Sequence, residues 1–233
     1  TAEERSAIGD VAAEAGLPVV VHAWTTAEVK MAAEMGAASI EHVGAGHKPL
    51  YPEASVRVMA DAGIVAVPTA QVHRVLDLTI DYPERLDDPR LREDLPDDLY
   101  GDVRESLRFF TRLDYFEGDV DDARHSREKV KQLFEGGVSL AIGTDSGTPM
   151  NFHYESTWRE MDLFAEYGIP PMKVITMATR DAARLSRVGD ELGTVEPGKL
   201  ADLIVVDGNP LVDMRAVSPE RVVHVIKGGE VIR

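Results

Sequence analysis

The chain has 233 residues, 44% of them hydrophobic, enough to bury the core of one large domain or of one domain with a small appendage. Its 25 Lys and Arg against 41 Asp and Glu leave a net charge of −16, which argues against nucleic acid or an anionic membrane as partner, since both select basic patches. The absence of cysteine excludes disulfides, thiolate metal sites and thiol nucleophiles, and no apolar run reaches the roughly 18 residues of a membrane helix.

Thr1 and Glu4 have the spacing of a capping box, opening a helix through residue 15 that Gly16 stops. An apolar strand over residues 17–22 follows and ends on His22. A helix over 26–35, closed by Gly36, leads to a second strand, 37–42, which ends on Glu41 and His42. Residues 52–62 read as a helix stopped by Gly63, and "IVAVPT", 64–69, as the third strand. Residues 70–137 break this rhythm with a charged segment. It reads as Asp/Pro-rich turns over 81–96 and helices near 102–115 and 121–134, and it is expected to form a lid or an oligomer surface. "GVSLAIGTD" gives a fourth strand, over 139–145, ending at Asp145, before helices near 155–167 and 171–185. Nearly continuous apolar strands alternating with helices predict a parallel sheet covered on both faces. From about residue 189 short β-branched runs and Gly turns predict a small β appendage, with "KGGE", 227–230, as a tight hairpin.

Four successive strands thus carry His22, His42, Thr69 and Asp145 at their C-terminal ends, the edge where parallel α/β sheets and barrels place ligands and catalysis. Imidazole and carboxylate are donors that suit zinc and similar divalent ions. A single histidine at a strand end is more often a structural residue, and Asp145 alone could serve as a helix N-cap; the three together on one edge point to a metal site.

These residues resemble a family. "VVVHA", "GAASIEHV", "AIGTDSG" and "ATRDAARLSRVGDELGTVEPGKLADLIVVDGNPLVD" are similar to segments of the metal-dependent amidohydrolase superfamily, nearest to its imidazolonepropionase-like and Xaa-Pro-dipeptidase-like branch. The resemblance implies an α/β fold made of the C-terminal half of a (βα)8 TIM-type barrel, strands five to eight. Residues 1–188 would form this half-barrel, with a helical insertion at about 70–137, and residues 189–233 part of a small β-sandwich. It implies that His22 and His42 are the metal-binding histidines of strands five and six. Asp145 would be the strand-eight aspartate, both metal ligand and catalytic proton carrier. One or two divalent ions, zinc foremost, would lower the pKa of a bound water towards about 7, and the carboxylate would take its proton.

The family's H-x-H pair on strand one and the carboxylated lysine of strand four have no counterpart here: no H-x-H occurs anywhere, and no lysine precedes His22. A (βα)8 barrel also needs eight units and about 250 residues. The expected partner is therefore a missing N-terminal half of the barrel, supplied separately or replaced by a second copy in an oligomer; the chain begins at Thr1, so its natural start is expected upstream. Trp24, His73 and His153 are candidate contacts for a small-molecule substrate. His47 reads as solvated, His125 as part of a charged helix and His224 as part of the appendage. The implied activity is hydrolysis of an amide, peptide or cyclic C–N bond, in a cytoplasmic setting. An ester, lactone or organophosphate hydrolase with the same site, and an inactive half-barrel with an assembly role, remain the alternatives.

Overall fold

The computed structural model describes residues 1–44, 50–74, 86–108, 119–148 and 151–233. Among them, four parallel strands, β1 (Val20–His22), β2 (Ser39–Glu41), β3 (Val65–Val67) and β4 (Ser139–Leu140), pair in chain order. Val20 sits opposite Ser39, Ser39 opposite Val65, and Val65 opposite Ser139. Helices α1 (Ala2–Glu14), α2 (Thr26–Glu34) and α3 (Glu53–Asp61) precede β1, β2 and β3. Further along come α4 (Pro89–Asp94), α5 (Asp97–Arg108), α6 (Asp119–Glu135), α7 (His153–Glu166), α8 (Pro171–Thr176) and α9 (Ala182–Leu185). None is long and apolar enough to cross a membrane.

The expected capping box and glycine stops are present, together with a second capping box that the sequence reading did not name. Thr1 and Glu4 close α1, and Thr25 and Glu28 do the same for α2. Gly36 and Gly63 follow α2 and α3 with φ of 68° and 67°, a left-handed conformation that only glycine takes without a Cβ penalty.

Side chains alternate across the strands. Ile40, Ala66 and Leu140 are buried with Val29, Ala32, Val56, Met59, Val130, Leu133 and Phe164 in one core between sheet and helices. On the opposite face Ser39 and Val67 are buried, while Val20, His22 and Ser139 are exposed.

The strands are shorter than the apolar runs suggest. Pro18 has no N–H to give to a ladder, and Leu17 N donates instead to Ala12 O at the end of α1. Pro68 ends β3 in the same way. In β4, Ala141 N still reaches Ala66 O, but Ile142 N turns to Met177 O and leaves the sheet. Met177 opens a wide π turn, Met177–Asp181, that interrupts the single helix expected over 171–185. The turn-rich reading of 81–96 needs correction at Pro89–Asp94, which is helical: proline fits a first helical turn, where its missing N–H costs nothing. The helix expected from 102 starts earlier, at Asp97, and its residues from 109 lie outside the described residues.

The C-terminal segment forms a separate antiparallel sheet of β5 (Leu203–Val206), β6 (Val222–Lys227) and β7 (Glu230–Val231). Lys227 pairs with Glu230 across the two-glycine turn read from the sequence. A 3-10 turn, Met214–Val217, joins this region to α7, where Arg215 Nε meets Asp162 Oδ2 at 3.2 Å.

Candidate active site

Because β1 and β2 run parallel with His22 opposite Glu41, the next residue on, His42, rises beside His22. The two imidazole centroids are 4.6 Å apart with their planes at 62°, an edge-on contact. The Trp24 ring lies 4.8 Å from that of His22 and is 46% exposed, so an apolar wall stands next to the pair.

Three residues that follow the strands, His42, Thr69 and Asp145, have left-handed backbones with φ of 63°, 49° and 51°. Each such residue costs on the order of 1–2 kcal/mol, and a β-branched threonine is a particular outlier there. Local hydrogen bonds hold them. His42 N donates to Val67 O at 2.8 Å and Val72 N to Thr69 O at 3.1 Å. Asn151, buried, donates from Nδ2 to Thr144 O at 2.6 Å and to Asp145 O at 3.0 Å. The buried Thr69 hydroxyl sits 2.8 Å from His42 Nδ1.

Tyr51 ties together the loops that follow the two histidines. Its hydroxyl accepts from Gly44 N and donates to Trp24 O, both at 3.0 Å. Gln132 of α6 in turn receives Tyr51 N and donates to Tyr51 O, at 3.0 and 2.8 Å. Burial pushes the Tyr51 phenol up to about 12, so it remains a donor throughout the neutral range. Glu41 is half-buried, its Oε1 accepting from Ser39 Oγ at 2.7 Å. Burial raises its carboxyl, and the negative charge of Asp145 adds to the rise, so these two carboxylates sense one another across the sheet edge.

The structure therefore brings His22, His42 and Trp24 together, while Asp145 stands exposed five residues beyond β4, because the strand expected to run to it ends at Leu140. His153 is the exposed first residue of α7, its ring beside Gly147. His73 lies in the 3-10 turn Ala70–Arg74 that follows β3. His47 lies outside the described residues. His125, read as part of a charged helix, lies in α6 and is half-buried with Nδ1 enclosed. Glu41 is visible in the motif "IEH" but sequence reasoning passes it over. Tyr51, Asn151 and Gln132 carry no local signal, because their partners are distant in the chain or are backbone atoms.

The donor chemistry of the two histidines fits a divalent ion. When Nδ1–H of His42 donates to Thr69, Nε2 keeps its lone pair, the arrangement seen for histidine ligands. Among the described residues no group of three or more His, Asp or Glu side chains is assembled for a metal; this chain offers a pair of imidazoles, part of a donor set.

The sequence pattern described as Amidohydrolase family matches residues 1–232. The chain belongs to the amidohydrolase family. Among curated proteins, the chain is 36% identical over 85 residues to 5-methylthioadenosine/S-adenosylhomocysteine deaminase of Moorella thermoacetica, covering 34% of the chain and 20% of the relative. It is 28% identical over 142 residues to adenine deaminase of Mesorhizobium japonicum, covering 58% of the chain and 22% of the relative. A solved Xaa-Pro dipeptidase with methionine bound in its active site superposes with a TM-score of 0.73 at 29% identity, over 100% of this chain and 49% of that one. The chain thus spans about half the length of the dipeptidase, and its alignments to the two deaminases cover about a fifth of theirs.

Proposed function

We infer that this amidohydrolase is the C-terminal half of a (βα)8 barrel, residues 1–188, followed by part of a β-sandwich, residues 189–233. Its reaction would be the hydrolysis of an amide, peptide or cyclic C–N bond in a small substrate. The observation that carries this reading is the contact of His22 with His42 at adjacent strand ends, with Thr69 and Asp145 following the next two strands by two and five residues. Family membership and relatives named as deaminases and a dipeptidase support the choice of a carbon–nitrogen bond.

His22 and His42 would hold a divalent ion, zinc by their chemistry, which when bound acidifies water and polarises a carbonyl. Asp145, exposed at the same edge, takes the proton of the attacking water at its carboxylate and passes it to the departing nitrogen. Trp24 packs against the substrate's apolar portion, and His73 and His153 stand on the loops that would frame the mouth of the site. The open face carrying Val20, His22 and Ser139 is closed by the other half of the barrel, as part of a longer chain or as a separate polypeptide.

The test has two arms. Zinc affinity of the purified protein, read by competition with a chromophoric chelator, should fall at least tenfold in His22→Ala and in His42→Ala. With both barrel halves present, Xaa-Pro dipeptides and N-acyl amino acids should be cleaved in preference to carboxyl esters and phosphotriesters. Turnover of esters alone would overturn the C–N assignment. Unchanged zinc affinity in both variants would overturn the metal role of the histidines.

A further inference from the structure

The chain between β5 and β6 frames a cleft of about 420 Å3, within the range of small-molecule sites. Its walls are residues 207–209, just after β5, the 3-10 turn Met214–Val217 with its cap Asp213, and the approach to β6. Arg215 ties this wall to α7 through Asp162. Asp162 stands nine residues, about 13 Å, along α7 from His153, so the cleft lies at the other end of that helix from the candidate active site.

Backbone bonds set the shape of the cleft. Asp207 N donates to Arg221 O at 2.7 Å, and Asn209 O accepts from Val212 N at 2.9 Å and Asp213 N at 3.0 Å. Asp213 accepts from Arg215 N at 3.1 Å through its side chain. Gly208 has φ of 139°, and a Cβ there would stand 3.0 Å from Ala216 Cβ, so loop and turn approach closely. Ser218 is the anomaly. It lines the cleft and is only 7% exposed, yet its hydroxyl bonds no described residue. An enclosed hydroxyl is costly without a partner, and the cleft is the side from which one can reach it.

Groups of both signs stand around it. Arg221 and Asp207 face each other at 3.8 Å, beyond hydrogen-bond distance, and both are more than half exposed. Such a pairing is weak, so each keeps capacity for a closer partner. Asp213 and Glu220 add carboxylates to the lining, which disfavours a simple anion. The two guanidiniums disfavour a bare cation, and among the described residues no three acidic or imidazole side chains gather for a metal. A ligand that carries both charges on neighbouring carbons satisfies both walls.

We propose that this cleft binds an α-amino acid, its carboxylate on the Arg221 guanidinium and the Ser218 hydroxyl and its ammonium on Asp207. The site shares no residue with the candidate active site and does not rest on the proposed hydrolysis. Its charged groups are half in water, so the affinity is modest, a Kd of about 1 mM.

The experiment follows 1H–15N shifts in the full chain, in whichever assembly keeps it soluble. L-Alanine should move the backbone amides of Asn209, Ser218 and Arg221 saturably. Acetate and methylammonium, which each carry one of its two charges, should bind about 10-fold more weakly. Arg221→Gln and Asp207→Asn should each weaken alanine binding about 3- to 10-fold. Ser218→Ala should weaken it to a similar degree while keeping or raising the urea midpoint, because its hydroxyl has no protein partner to lose. A serine with only a structural role would not show that split. Lys227→Gln, which removes a pair with Asp202 outside the cleft, should bind alanine as the parent does. Absence of saturable shifts at the three amides would overturn the proposal. So would shifts confined to His22 and His42, which would put alanine in the candidate active site instead. Acetate or methylammonium matching alanine would overturn the assignment of a zwitterion, and parental affinity in both Ser218→Ala and Arg221→Gln would remove the site. Failure of the hydrolysis reading leaves each of these outcomes unchanged.

Discussion

A wholly enclosed carboxylate makes stability depend on pH. Burial pushes Glu160 up to about 8, against the downward pull of the two amides it accepts, from an ordinary value near 4.5. The folded chain therefore keeps a proton on Glu160 over a range in which the unfolded chain has lost it. This contribution to stability is complete below about pH 4.5 and is lost as pH rises through about 8, at up to about 1.4 kcal/mol per pH unit in between. The neighbouring Tyr167 phenol, pushed up to about 12 by burial, stays neutral across that window. Urea midpoints measured at pH 5, 6.5 and 8 should fall along the series, and the fall should flatten in Glu160→Gln. A second prediction concerns Tyr51. Tyr51→Phe strands Gly44 N and Trp24 O, each satisfied by the one hydroxyl, and should cost about 1–3 kcal/mol in urea unfolding. It should also weaken zinc binding, because those two loops follow His22 and His42. The places of His22 and His42 at adjacent strand ends were legible in the sequence, since an apolar run that stops on histidine is visible in any short window, whereas the run ending on Asp145 leaves its strand at Leu140. Tyr51 and Glu160 were not, because their partners lie 81 residues and 89 to 90 residues away in the chain. The one local sign at Glu160 is an acid falling on the buried stripe of α7.

Elements were legible in kind and less so in extent. Hydrophobic runs and glycine stops located the helices and strands around the parallel sheet, because each depends on neighbours in sequence. Strand ends depend on where the ladder loses its donors, as at Pro18, Pro68 and the turn of Ile142 to Met177, and the π turn in the last helix depends on the same cross-chain bond. The close approach of β3 and β4 gives an element-scale prediction. A Cβ at Gly143 would lie 2.4 Å from Val67 Cγ1, with no room to accommodate it. Gly143 is two residues before Asp145, and Val67 two before Thr69, so relief would have to separate the two strand ends. Gly143→Ala should cost about 1–3 kcal/mol. By contrast, a Cβ at Gly101, within α5, meets nothing within 4 Å. Gly101→Ala should gain up to about 1 kcal/mol from helix propensity alone. Paired urea denaturation of the two variants checks both signs.

At the scale of the whole molecule, apolar surface is left where a partner would sit. Helix α1 buries no residue, and Ile8, Val11, Leu17 and Val20 are all more than half exposed beside the β1 edge. Sheet edges and apolar faces of this kind invite pairing with another chain. The antiparallel sheet shows the same need: Leu203, Ile204, Val205, Val223 and Val231 are exposed along β5, β6 and β7. A dipeptidase of about twice the length superposes over the whole of this chain, and under the proposed half-barrel reading the cover would come from a further stretch of similar size. A second copy of the chain is the rival cover, and would bring two His22–His42 pairs to one rim. The expected outcome is that the 233-residue chain by itself does not persist as a soluble monomer and hydrolyses none of the amide substrates. Only two imidazoles are gathered among its described residues, and a bound ion would be poorly retained and its water misplaced. Adding the complementary half should give a one-to-one complex by light scattering and bring activity with it, whereas a dimer of this chain alone would favour the second-copy assembly. A stable, monodisperse monomer that turns over amide substrates unaided would contradict both arrangements.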